Sequence, residues 1–147
     1  MLFNYLKGTS TSVLSSVFTF FLISILFDSG YSFSDAHSEF YNYLTVATLV
    51  GIIAGLIAIG ILRLYPDQNV FSKDILAIFT VAGIAIGILL DLLYGLSIFP
   101  TFLLSCMVGS VMFLIIQKVE NKIIGLIIIA LHIGLLFIDP QFINFLS

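Results

Sequence analysis

Charge is what this chain of 147 residues has least of. Asp, Glu, Lys and Arg make up 9% of it, eight acidic and five basic residues, where a water-soluble domain carries roughly a quarter. So few charges cannot give a globule a water-compatible surface, which excludes a soluble enzyme and a disordered tail. Cysteine is nearly absent as well. Cys106 is the single one, so there is no internal disulfide and no disulfide scaffold. With no base or cation beside it, Cys106 reads as a small apolar residue rather than a nucleophile. The formal charge of −3 leaves no clustered basic patch, and no nucleic acid partner is expected. There is no glycine-rich phosphate loop, zinc-ligand spacing or Ser-His-Asp order. The chain is therefore expected not to be an enzyme and to hold no metal and no cofactor.

What fills the chain instead is apolar. Hydrophobic residues make up 61% of it, and the mean hydropathy is +1.23. A bilayer core about 30 Å thick needs about 20 mostly apolar residues in a helix, and in hydrocarbon the backbone must satisfy its own hydrogen bonds. The expected fold is all-α, a single integral membrane domain of five transmembrane helices over residues 1–147. The spans fall at about 9–27, 42–62 (within an uncharged run over 40–62), 75–96, 101–117 and 123–138. Pro100 splits the long third run, since proline disfavours helix at the residue before it. The last run is short enough to be re-entrant, which would leave four spans. The segment after the first run, DSGYSFSDAHS, lacks a small-x-small cleavage site, so that run is expected to be retained rather than removed as a leader.

Five alternating spans put Lys7, Arg63, Lys73, Lys118 and Lys122 on one side. The positive-inside rule makes that side the cytoplasmic one, with the amino terminus inside and the carboxyl terminus outside. The bilayer is then the first partner, and the bacterial cytoplasmic membrane the expected location. Tyr31, Phe33, Tyr41, Tyr43, Tyr65 and Tyr94 lie near span ends, as an interfacial belt would place them.

Small residues recur every fourth position. Span two carries Gly51 and Gly55 with Ala47, Ala54 and Ala58. Span three carries Gly83, Gly87, Asp91 and Gly95, and span four carries Thr101, Ser105 and Gly109. Such stripes let helix backbones approach closely. They serve either the internal packing of a bundle or, above all at Gly51–Gly55, a membrane-protein partner or second copy. Two polar residues sit inside spans. Asp91 is expected near the outer interface, as a cap on the turn near Ser97 or as an ion, proton or partner contact. His132 is expected near the midplane, making interhelical hydrogen bonds or relaying protons. Asp35, His37 and Glu39 alternate in what reads as an outer loop, where an extended backbone would project them to one side and could let them hold a divalent cation. A solvated loop is the simpler account of them.

The stretch GIAIGILLDLLYG over 83–95 resembles the glycine-rich, Asp-bearing helix of rod-shape-determining MreD-type proteins, over some 30 residues up to Phe113. Those proteins are small multi-pass partners in bacterial cell-wall elongation, and the resemblance implies that Asp91 is the position carried over. In its Ser- and Phe-rich first span and Ile-rich later spans, the whole chain looks more like small uncharacterised multi-pass membrane proteins of low-GC Gram-positive bacteria. The resulting expectation is a non-enzymatic accessory or scaffold working through helix–helix association. The alternatives are a subunit of an oligomeric transporter with Asp91 and His132 along its path, or an MreD-type cell-shape factor.

Overall fold

A computed structural model of the chain describes residues 2–27, 33–64, 72–94 and 101–138, with residues 33–39 and 94 described through their backbone. The described residues form five helices and no strand: α1 (Leu2–Phe27), α2 (Phe33–Leu64), α3 (Lys73–Tyr94), α4 (Thr101–Gln117) and α5 (Lys122–Ile138). Three stretches are long and apolar enough to cross a membrane, namely α1, α2 over Phe40–Leu64 and α3 over Lys73–Leu93. Helices α4 and α5 have 17 residues each and so run about 25 Å.

Two helices begin earlier than their apolar runs. α1 starts at Leu2 rather than near Thr9, because nothing in residues 2–8 stops a helix and the one charge there, Lys7, is buried with a partner. α2 starts at Phe33 rather than near 42, so the backbone of Asp35, His37 and Glu39 is helical and not an extended loop. A helix does not keep alternate residues on one side, which removes the geometry that would have gathered the three; their side chains lie outside the described residues. The later starts are capped. The Ser72 hydroxyl accepts from Ile75 N–H at 3.3 Å, and the Asn121 side chain accepts from Ile123 N–H at 2.9 Å. Both supply acceptors for donors that a helix start leaves unpaired.

Helix α1 is the hub, packing on α4, α2 and α5, while α4 also packs along α3; α2 and α3 hardly meet. Successive helices alternate in direction. Tyr5 reaches the Ile52 carbonyl, Ser16 reaches the Ser105 carbonyl and Lys7 reaches the Val119 carbonyl. The starts of α1, α3 and α5 and the ends of α2 and α4 therefore gather at one end of the bundle, and all five basic residues with them. Outward faces carry large apolar side chains such as Leu49, Ile53, Leu56, Val81, Leu89 and Ile127, which suits a hydrocarbon solvent.

Two apolar clusters hold the seams. Near the end without cations, Val13, Val17, Tyr43, Leu44 and Ala47 join α1 to α2. Tyr43 lies in this core, 5% exposed and stacked on Phe20 at 4.1 Å, which corrects its assignment to an interfacial belt. The belt reading keyed on distance from the span end, whereas the packing of α1 set which way the ring faces. At the cationic end Ala58, Ile75, Phe79, Phe113 and Leu114 bring α2, α3 and α4 together.

The glycines mark where backbones touch. A Cβ on Gly83 would stand 2.8 Å from both the Cys106 carbonyl oxygen and Met107 Cα, and one on Gly87 would meet the Leu103 backbone. Gly109 faces the Ser12 and Ser16 side of α1, and Gly51 and Gly55 face Val13 and Thr9. Within this chain, then, Gly83 and Gly87 join α3 to α4, Gly109 joins α4 to α1, and Gly51 and Gly55 join α2 to α1. Gly95 lies outside the described residues. Gly87→Leu should destabilise the bundle by about 3 kcal/mol or more, because its obstruction is backbone that cannot rotate away. Gly60→Ala, where a Cβ meets nothing, should be neutral or stabilise by up to about 1 kcal/mol. Denaturant unfolding of both variants in mild detergent checks the pair, and equal stabilities would contradict the close approach.

Candidate functional site

Asp91 sits in the last turns of α3, 5% exposed. Its stripe partners Gly83 and Gly87 bring α3 so close to α4 that the carboxylate reaches the start of α4. Oδ1 accepts from Phe102 N–H at 3.4 Å and Oδ2 from Leu103 N–H at 3.3 Å. These are long for charge-assisted hydrogen bonds. The attraction between a negative group and the positive end of the α4 dipole therefore carries much of the interaction. Asp91 acts as an N-terminal cap supplied from a neighbouring helix.

The opposite end of α4 is held in the same way by a residue whose charge, in the sequence, speaks only to orientation. Lys7 is 2% exposed, and its Nζ donates to the Val119 carbonyl at 2.8 Å, just past the end of α4. A cation there faces the negative end of the helix dipole and satisfies a carbonyl that has no partner within the helix. Gln117 adds a bond from its Nε2 to the Asn4 carbonyl at 3.1 Å. In the sequence Lys7 is marked by its charge alone, in a mostly apolar stretch ahead of the first long run.

His132 lies elsewhere, buried where α5 meets α1 and α2. Its Nε2 is 3.0 Å from Thr48 Oγ1 and its Nδ1 is 3.1 Å from Ser10 Oγ. The Thr48 hydroxyl already donates its one hydrogen to the Leu44 carbonyl at 2.7 Å, so towards His132 it accepts. The proton of the neutral ring is then on Nε2, and Nδ1 accepts from Ser10. Both ring nitrogens are engaged, and the residue ties three helices. Asp91 serves the α3–α4 seam and His132 the α5–α1–α2 junction, so the fold does not bring the two together.

The Thr9 hydroxyl is buried with no hydrogen-bond partner. It faces Gly55, where an added Cβ would collide with it. Cys106 is half-buried on α4. Among the described residues no cluster of three or more His, Cys, Asp and Glu is placed to hold a metal ion.

Among the described residues a cavity lies where α2 and α3 fail to close. It has a volume of about 290 Å³ and is lined by Ala54, Ala58, Phe79, Ala82 and Ala85, with Ser12 and Ser110 on its floor. A smaller recess of about 40 Å³ continues it towards Tyr43 and Leu90. The walls are almost wholly apolar, and Ile57, which lines the cavity, is also exposed on the outer surface.

The two caps on α4 generate a prediction. Lys7→Met strands a carbonyl and should cost about 1–3 kcal/mol, and Asp91→Leu should cost about 2 kcal/mol. Asp91→Asn keeps one acceptor and should cost less, about 1 kcal/mol. As the sites stand at opposite ends of α4, Lys7→Met and Asp91→Leu should add within about 0.5 kcal/mol in a double-mutant cycle; strong coupling would mean that the two ends are not separate caps. No known protein family, curated protein sequence or solved structure matches the chain, so its function has to be argued from geometry alone.

Proposed function

We propose that the chain is a small multi-pass protein of the bacterial cytoplasmic membrane, with five spans, the amino terminus inside and the carboxyl terminus outside. In this reading it performs no chemistry of its own and acts as an accessory or scaffold by lateral helix–helix association, with a membrane-protein partner or a second copy. One observation carries it. The buried polar side chains Lys7, Asp91 and His132 and the described glycines of the stripes are spent on joining the chain's own helices. What faces outward is apolar side chain, which offers contact and little else. The same observation weighs against a path using Asp91 and His132, since neither faces the other. An MreD-type role would be one instance of the accessory reading, with Asp91 serving there as a cap.

The gathering of all five cations at one end supports the proposed orientation. A reporter active only outside the cytoplasm, fused after Ser147, should be active, and one fused before Leu2 should be silent; the reverse pattern overturns the orientation. For the accessory role, the tagged chain should co-purify in mild detergent with a defined membrane protein or as a discrete oligomer. A lone monomer whose reconstitution into liposomes produces ion flux abolished by Asp91→Asn would overturn it.

A further inference from the structure

The hydroxyl groups of the helices divide by where their hydrogen goes. Thr11, Ser15, Thr19, Thr48, Thr80 and Ser105 each donate to the carbonyl one turn back, at 2.7 or 2.8 Å. That is the usual resting place of a helical hydroxyl in apolar surroundings. Ser16 donates across the seam to the Ser105 carbonyl. Ser12 and Ser110 do neither. Both are half-buried, and among the described residues neither hydroxyl makes a hydrogen bond. Each is turned off its own helix. Ser12 Oγ lies 3.1 Å from where a Cβ on Gly109 would stand, and Ser110 Oγ lies 2.7 Å from where one on Gly83 would stand.

These two serines share a further property. Both line the groove between α2 and α3, and both line the smaller recess of about 40 Å³ that continues it, where Ser16 joins them. An unpaired hydroxyl in an apolar surround is costly, and hydrocarbon offers it no partner. The recess is far too small for a helix, yet it exceeds the roughly 10–15 Å³ that one water needs. Water also needs two to four polar partners, and three hydroxyls stand on its walls.

We infer that this recess is a binding site for an internal water. The water accepts from the Ser12 and Ser110 hydroxyls and donates to Ser16 Oγ, whose own hydrogen is committed to Ser105. It links α1 to α4 near the middle of both helices, between the caps that Lys7 and Asp91 place at the two ends of α4. The site is independent of the accessory role and of whatever covers the wider groove outside.

The sign of a stability change tests it. If the two hydroxyls are simply unpaired, Ser12→Ala and Ser110→Ala should each stabilise, because alanine has nothing to desolvate and is the better helix former. If they hold a water, each should lower the folded-to-unfolded ratio at least about threefold. Together they should lower it by less than the product, since both lose the same water. Denaturant unfolding of the full chain in mild detergent reads all three variants. Nuclear Overhauser contacts in the same detergent identify the occupant. Water should give cross-peaks to the methyls of Ala54 and Ile86, which line the recess, and none to Ile53 and Ile127, which are exposed on outer faces. Stabilising substitutions overturn the proposal, as do effects that simply multiply. Detergent-chain contacts at Ala54 and Ile86 without water contacts overturn it too. Should either variant misfold, the cross-peaks of the unaltered protein decide the matter by themselves.

Discussion

The structure turns on how the two ends of α4 are satisfied. A helix leaves four N–H groups at its start and four carbonyls at its end without intrahelical partners, and in an apolar surrounding each unsatisfied group costs several kcal/mol. Helix α4 has only 17 residues, so its two ends lie close to the apolar body of the bundle. It is met by an acid at its positive end and a base at its negative end, Asp91 from α3 and Lys7 from α1. Each charge is buried, and each is offset by the partial charge of the helix terminus it faces. Because the two come from different neighbours, they place α3 and α1 along α4 as well as neutralising it.

The rest of the packing depends on that alignment. Once Asp91 reaches Phe102, Gly87 and Gly83 are brought opposite Leu103 and Cys106, where any larger residue would strike backbone. With Lys7 at Val119, Gly109 comes against Ser12 and Ser16, and the Ser16 hydroxyl reaches the Ser105 carbonyl at 2.9 Å. Hydrophobic burial cannot supply this specificity, because lipid tails are as apolar as the helix faces they would leave. Close contact and polar bonds select the partner, as in the two bonds by which His132 fastens α5 to Ser10 on α1 and Thr48 on α2.

The glycine–aspartate stripe of α3 was legible from its spacing, because four-residue recurrence means a shared face in any helix. Its partner was not, since a stripe says that something comes close without saying what. Gly51 and Gly55 make the point, for their spacing fitted a second molecule as well as it fits α1. Lys7 and Tyr43 escaped for a different reason. An apolar-run criterion detects the solvent around a helix, and so it ends a span at the first charge and assigns aromatics by depth. Whether a lysine is paired, or a tyrosine turned inward, depends on side chains distant in the sequence, as the Lys7 bond to Val119 and the stacking of Tyr43 on Phe20 show. Helices also run past their apolar stretches: α2 begins at Phe33 while its apolar stretch begins at Phe40, because backbone hydrogen bonding does not stop where hydropathy falls.

The groove between α2 and α3 then becomes the exception to be explained. Both walls carry small residues, Ala54 and Ala58 on one side and Ala82 and Ala85 on the other, and the α3–α4 seam shows how tightly such faces can close. They stay apart because the cationic end is wedged. Phe79 stacks on Phe113 at 6.0 Å, and that pair together with Ile75 packs against Ala58, so two aromatic rings stand where the helices would otherwise converge. Collapse would require expelling them, and a cavity of this size in a core made to close would cost several kcal/mol by the usual relation between void volume and stability. The opening is walled by apolar side chains, Ile57 and Ile61 among them, so hydrocarbon suits it better than water. The α2–α3 seam thus differs from the α3–α4 seam in the aromatic pair beside it, since both carry small residues on the facing sides.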